Sequence, residues 1–115
     1  MALKIIDRKV DGVSVLALDG RVVFGEEATS LRDRVKGLID SGDKKLVLNM
    51  NNVTFIDSAG LGALVSAHHA AGSNGGILRL CHLGPKFTQM LKMTNMHTVL
   101  QVSETEVDAV LSFSK

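Results

Sequence analysis

Val53-Thr54-Phe55-Ile56-Asp57-Ser58-Ala59-Gly60-Leu61-Gly62-Ala63-Leu64-Val65 is the stretch that sets the architecture of this chain. A mostly apolar run, Val53 to Ile56, meets Asp57-Ser58 and then a segment of small and apolar residues. Asp and Ser favour helix N-termini, because their short side chains accept from the free N–H groups of the first turn. The stretch therefore reads as an extended segment entering a helix. Upstream, Lys45 to Leu48 reads as a short strand, separated from Val53 by a mostly polar break, Asn49 to Asn52. A carboxylate and a hydroxyl thus lie together at the positive end of a helix. Such a place suits a phosphate, and a partner would feel a charge change there. The plainer reading of Asp57-Ser58 is a helix cap and nothing more. Ala59, Gly60, Gly62 and Ala63 leave the first turn almost bare. Gly in a helix costs roughly 1 kcal/mol relative to Ala. Two glycines so early predict that something approaches the backbone closely.

Outward from this junction, strands and helices alternate. Lys4 to Arg8 and Val13 to Leu18 read as strands, with Asp11-Gly12 as the hairpin turn and Asp19-Gly20 as the stop. Ala28, Leu31, Val35, Leu38 and Ile39 recur at helical spacing, and Gly42 ends that helix. The helix begun at Ser58 runs to about Ala71. Gly72 to Gly76 is a loop, and Ile77 to Cys81 is a strand. Gly84-Pro85 opens a helix whose apolar stripe is Phe87, Met90, Leu91 and Met93. Val99 to Val102 is a last short strand. Ser103 or Thr105 caps a C-terminal helix bearing Val107, Val110, Leu111 and Phe113. The order β-β-α-β-α-β-α-β-α predicts an α/β fold. Its sheet is mostly parallel, with an antiparallel N-terminal hairpin and about four helices.

The 115 residues are the size of one domain, residues 1–115. Apolar residues make up 45% and charged residues 22%, the profile of a soluble globular chain. A net charge of +1 with no long Lys/Arg run argues against nucleic acid as a partner. No stretch approaches the roughly 18 apolar residues of a membrane span. The single Cys81 permits no internal disulfide and fits a reducing, cytoplasmic setting. Cys81 is expected to be a packed structural thiol.

Catalytic readings fail on spacing. Ile56-Asp57-Ser58-Ala59-Gly60 lacks the first glycine of the Gly-x-Ser-x-Gly elbow. His68 and His69 lie about three helical turns from Ser58, roughly 15 Å along the axis, and cannot serve as its base. The four His have no Cys or carboxylate partners at metal-ligand spacing. Gly20 to Gly25 has no following Lys-Ser/Thr, so it is not a phosphate-binding loop. Met90, Met93 and Met96 read as a core or half-exposed stripe before they read as an adaptable partner surface. No enzyme activity, metal or cofactor is expected.

Four features in order resemble the STAS domain, and specifically the free-standing bacterial anti-sigma-factor antagonists. They are Leu16-Ala17-Leu18-Asp19-Gly20-Arg21; Leu46 to Asn49 with Val53 to Gly62; Gly75-Gly76 leading into Leu78 to Cys81; and Pro85 to Met93 with Thr94-Asn95-Met96. The specific one is Phe55-Ile56-Asp57-Ser58-Ala59-Gly60-Leu61. The resemblance covers essentially the whole chain. It implies a binding switch in which Ser58 is phosphorylated by a partner serine kinase that is also the anti-sigma factor. Unmodified protein binds the kinase and frees a sigma factor, and a metal-dependent serine/threonine phosphatase reverses the modification. Asp57 matches the family's acidic neighbour of the acceptor, and Asp57 to Leu61 form the expected partner-binding segment. The alternative is a non-phosphorylated STAS scaffold in a lipid-transport or stress-signalling complex. One departure stands out. Where the family usually has Gly-Glu-Leu-Asp, this chain has Gly20-Arg21-Val22-Val23-Phe24. The apolar Val22-Val23-Phe24 either docks a partner or folds over the core. Bracketed by Gly20 and Gly25, it is expected to stand apart from the sheet, with Val23 and Phe24 in the docking surface.

Overall fold

The computed structural model describes residues 3–114. A five-stranded sheet in the order β1-β2-β3-β4-β5 is built from Lys4–Val10, Val13–Val22, Lys45–Ile56, Ile77–Cys81 and Gln101–Ser103. The helices are α1 (Glu26–Asp40), α2 (Ser58–Ser73), α3 (Pro85–Met93) and α4 (Glu106–Ser112), with a 3-10 turn at Met96–Thr98. β1 and β2 pair antiparallel, and all later pairs are parallel. This is the expected mixed α/β fold. Asp11 and Gly12 both take positive φ, 51° and 80°, which suits the turn whose twist matches a two-residue hairpin.

Alternation along the strands divides the apolar residues between two faces. Leu16, Leu18, Leu46, Leu48, Leu78 and Leu80 pack with Leu31 and Val35 of α1 and Leu64 and Ala67 of α2. On the other face Val13, Val15, Val47 and Cys81 pack with Ala109 and Val110 of α4. Burial pushes the Cys81 thiol up to about 12, so it is a packing group and not a nucleophile.

Several boundaries differ from the sequence expectation. The polar break Asn49 to Asn52 does not interrupt β3, which runs unbroken to Ile56. Register shifts between Ala17 and Asp19 and between Gly20 and Arg21 absorb extra residues of β3 as bulges. Asn49 is tied by its own side chain: Nδ2 donates to Glu106 at 3.0 Å, and Oδ1 accepts from the Asn51 N–H at 2.9 Å. β2 likewise passes through Asp19-Gly20 and continues to Val22. The last strand begins at Gln101, because Val99 and Leu100 close back on Met96 O. Thr105 caps α4, accepting from the Asp108 N–H. Val107 and Leu111 are exposed, because α4 meets the sheet through Ala109 and Val110, with its C-cap Phe113 packed beside them. Met93 is exposed on α3, while Met90 and Met96 pack against the large core.

Candidate functional site

β3 ends at Ile56, Asp57 takes extended backbone angles, and α2 starts at Ser58. The Asp57 carboxylate is the cap. Its Oδ1 accepts from the Gly60 N–H at 2.8 Å. Its Oδ2 accepts from the Phe24 N–H at 3.0 Å. One side chain thus fastens the start of α2 to the segment between β2 and α1. The backbone donors of Phe24 and then of Gly60 favour the charged carboxylate and hold Asp57 below the ordinary Asp range. Ser58 itself is exposed at the first position of the helix.

The two early glycines have different causes. A Cβ on Gly60 would lie 1.9 Å from the Val22 carbonyl oxygen. The close approach to the helix backbone is therefore the protein's own β2. Around Gly62 there is open space. Gly62 lines a groove of about 430 Å³ between α1 and α2, together with Ala59 and Ser66 of α2, Thr29 and Arg32 of α1, and Phe24.

The expected docking residues separate on this geometry. Val22 is fully buried as the last residue of β2, paired with Ile56, so the segment does not stand apart from the sheet. Val23 is 9% exposed and belongs to the core; its carbonyl accepts from the Ala28 N–H of α1. Phe24 alone points outward, 80% exposed. Gly60 and Leu61 are buried, since α2 presses that side of its first turn onto the sheet. Asp57, Ser58, Ala59 and Phe24 remain at the surface. Sequence reasoning missed the bond from Asp57 to Phe24 and the groove. The spacing of Ala59, Gly62 and Ser66 along one helix face is a signal for the groove.

His68 is half-buried, its Nδ1 has no partner, and its ring lies 5.4 Å from that of exposed His69. Burial, then the neighbouring His69, lowers the His68 pKa from its ordinary value. Among the described residues no group of three or more His, Cys, Asp or Glu could hold a metal ion. No helix among them is long and apolar enough to cross a membrane.

Known proteins resemble this chain in sequence and fold over most of their length. The chain is 26% identical to the anti-sigma F factor antagonist of Paenibacillus polymyxa, covering 86% of this chain and 85% of that one. A crystal structure of an anti-sigma factor antagonist from Mycobacterium paratuberculosis superposes with a TM-score of 0.87 at 21% identity, covering 98% of this chain and 95% of that one. The phosphorylated form of the Bacillus cell fate determinant SpoIIAA superposes with a TM-score of 0.72 at 16% identity, covering 96% and 98%. Its unphosphorylated form gives 0.73 at 14% identity, covering 96% and 97%. The STAS domain family model matches residues 4–109. With that span and the five-stranded mixed sheet, the chain belongs to the STAS domain family.

Proposed function

We propose that the chain is an anti-sigma factor antagonist whose binding to an anti-sigma serine kinase is switched by phosphorylation of Ser58. The observation that carries this reading is the exposed Ser58 hydroxyl at the start of α2, beside an Asp57 that its backbone bonds keep ionised. A phosphoserine carries about −1.5 to −2 charges at neutral pH. Beside ionised Asp57 it adds like-charge repulsion and a desolvation cost on a docking surface. Losing about 3 kcal/mol of binding weakens a complex more than a hundredfold. The docking surface consists of Phe24, Asp57, Ser58 and Ala59 with the adjoining groove. Gly60, Leu61 and Val23 shape it from beneath. The N-terminus of α2 stabilises the added phosphate locally, so the switch needs no refolding. A metal-dependent serine/threonine phosphatase resets it.

The test is a pull-down with unmodified protein, identification of the captured kinase by mass spectrometry, and incubation with that kinase and ATP. One phosphate is expected on Ser58, none on Ser58→Ala, and weakened kinase binding by Ser58→Asp with the fold intact. The mimic carries one charge, so its effect is partial. Phosphate on Thr54 or Ser66 overturns the assignment. Thr54 Oγ1 is engaged with the Gly20 carbonyl at 3.2 Å, and Ser66 lies two turns inside the helix. Equal kinase binding by Ser58→Asp and Ser58→Ala overturns the electrostatic mechanism.

A further inference from the structure

β4 stops at Cys81, opposite Asn49, while β3 continues to Ile56. Beyond Asn49, β3 has no strand on that side among the described residues. Between this outer half of β3 and the start of α3 lies a cleft of about 600 Å³. Its apolar lining includes Met50, Val53, Ile56, Phe87 and Met90, with exposed Phe55 at the edge. Met50, Ile56 and Phe87 are buried, and Val53 and Met90 are half-buried. Its volume falls in the range of about 300–1,000 Å³ typical of small-molecule sites.

The charge at the rim narrows the occupant further. Lys86 is the one charged residue among those lining the cleft, and no carboxylate lines it. Lys86 is exposed. An apolar wall with one cation at its edge complements an apolar chain ending in an anion. We propose that this cleft binds a medium- or long-chain carboxylic acid, its alkyl chain against Met50, Val53, Ile56, Phe87 and Met90 and its carboxylate paired with Lys86. The site is separate from the proposed Ser58 switch and needs neither kinase nor phosphate.

The chain has no Trp or Tyr, so a polyene fatty acid such as cis-parinarate can be followed by fluorescence with little protein background. Decanoate, kept below its micelle concentration, is titrated as competitor against unphosphorylated protein, and 1-decanol is run beside it. Saturable displacement by decanoate is expected, with methyl NMR shifts confined to Met50, Val53, Ile56 and Met90. Lys86→Gln, an exposed change that leaves the fold in place, is expected to weaken decanoate about threefold to fivefold, the scale of one partly exposed ion pair. It leaves 1-decanol unchanged. Thr54→Trp, at the cleft rim, is expected to block both ligands. Absence of saturable displacement overturns the site. Methyl shifts centred on the α1–α2 groove overturn its location. Undiminished decanoate binding by Lys86→Gln overturns the carboxylate pairing.

Discussion

At Asp57 one carboxylate accepts from two backbone donors 36 residues apart in sequence, Phe24 and Gly60. Asp57→Asn keeps an oxygen for one donor but turns an N–H toward the other. Hydrogen exchange at the Phe24 amide is expected to quicken in this variant; unchanged protection there would show that the tether is not what orders the segment. Because the folded carboxyl pKa lies below the ordinary 3.8, the tether is complete above that value and is lost as pH falls through the folded pKa. The Phe24 amide shift should therefore titrate with a midpoint below 3.8. The two glycines of the same turn make opposite predictions. Gly60→Ala drives a Cβ into the Val22 carbonyl, and should cost about 2 kcal/mol or more by forcing the helix off the sheet. Gly62→Ala meets nothing, and should gain about 0.5–1 kcal/mol of helix stability. If the groove receives a partner, Gly62→Ala also lowers affinity while raising the melting temperature. A gain in both would remove the groove from the interface.

The segment joining β2 to α1 shows how an element's neighbours decide which of its residues are available. Val22 and Val23 complete a strand and its turn into the core, and only Phe24 is left outside. Phe24→Ala should change stability by less than about 0.5 kcal/mol, as exposed positions do. It should weaken the proposed kinase complex by about tenfold or more, the effect of an interface aromatic. Unchanged affinity would exclude Phe24 from docking. The alternation of strands and helices was legible in the sequence because periodicity and caps are local. The Asp57 cap at the start of α2 was legible for the same reason. The polar Asn49 to Asn52 run misled, because bulges and the Asn49–Glu106 bond let a strand pass through residues that dislike one. Gly20 misled in the same way. The bond from Asp57 to Phe24 joins elements that only the parallel β2–β3 register brings together, so no local pattern announces it.

The sheet has an unequal pair of faces. Three longer elements, α1, α2 and α3, contribute to one core, while the other face is closed by α4, a helix of 7 residues. α4 is held at its start by Glu106, which pairs with Arg8 of β1 at 2.6 Å and accepts from Asn49 of β3 at 3.0 Å; its N–H donates to His82 Nε2 at 3.3 Å. So small an apolar contact makes α4 the element expected to open before the sheet does. Cys81 lies beneath it and reports that opening, since its thiol reacts only when uncovered. The Arg8 bond, ahead of opposing burial and then Asn49, lowers the Glu106 pKa below the ordinary 4.5. A carboxyl with a depressed folded pKa stabilises above its unfolded value, and that contribution is lost as pH falls through the folded one. Labelling of Cys81 with a pyridyl disulfide, which remains reactive in acid, should therefore accelerate below about pH 4.5 relative to an unfolded control. Glu106→Gln should bring much of the same acceleration at neutral pH while the global melting temperature moves little. Labelling that instead tracks global unfolding at every pH would show that α4 and the sheet open as one unit.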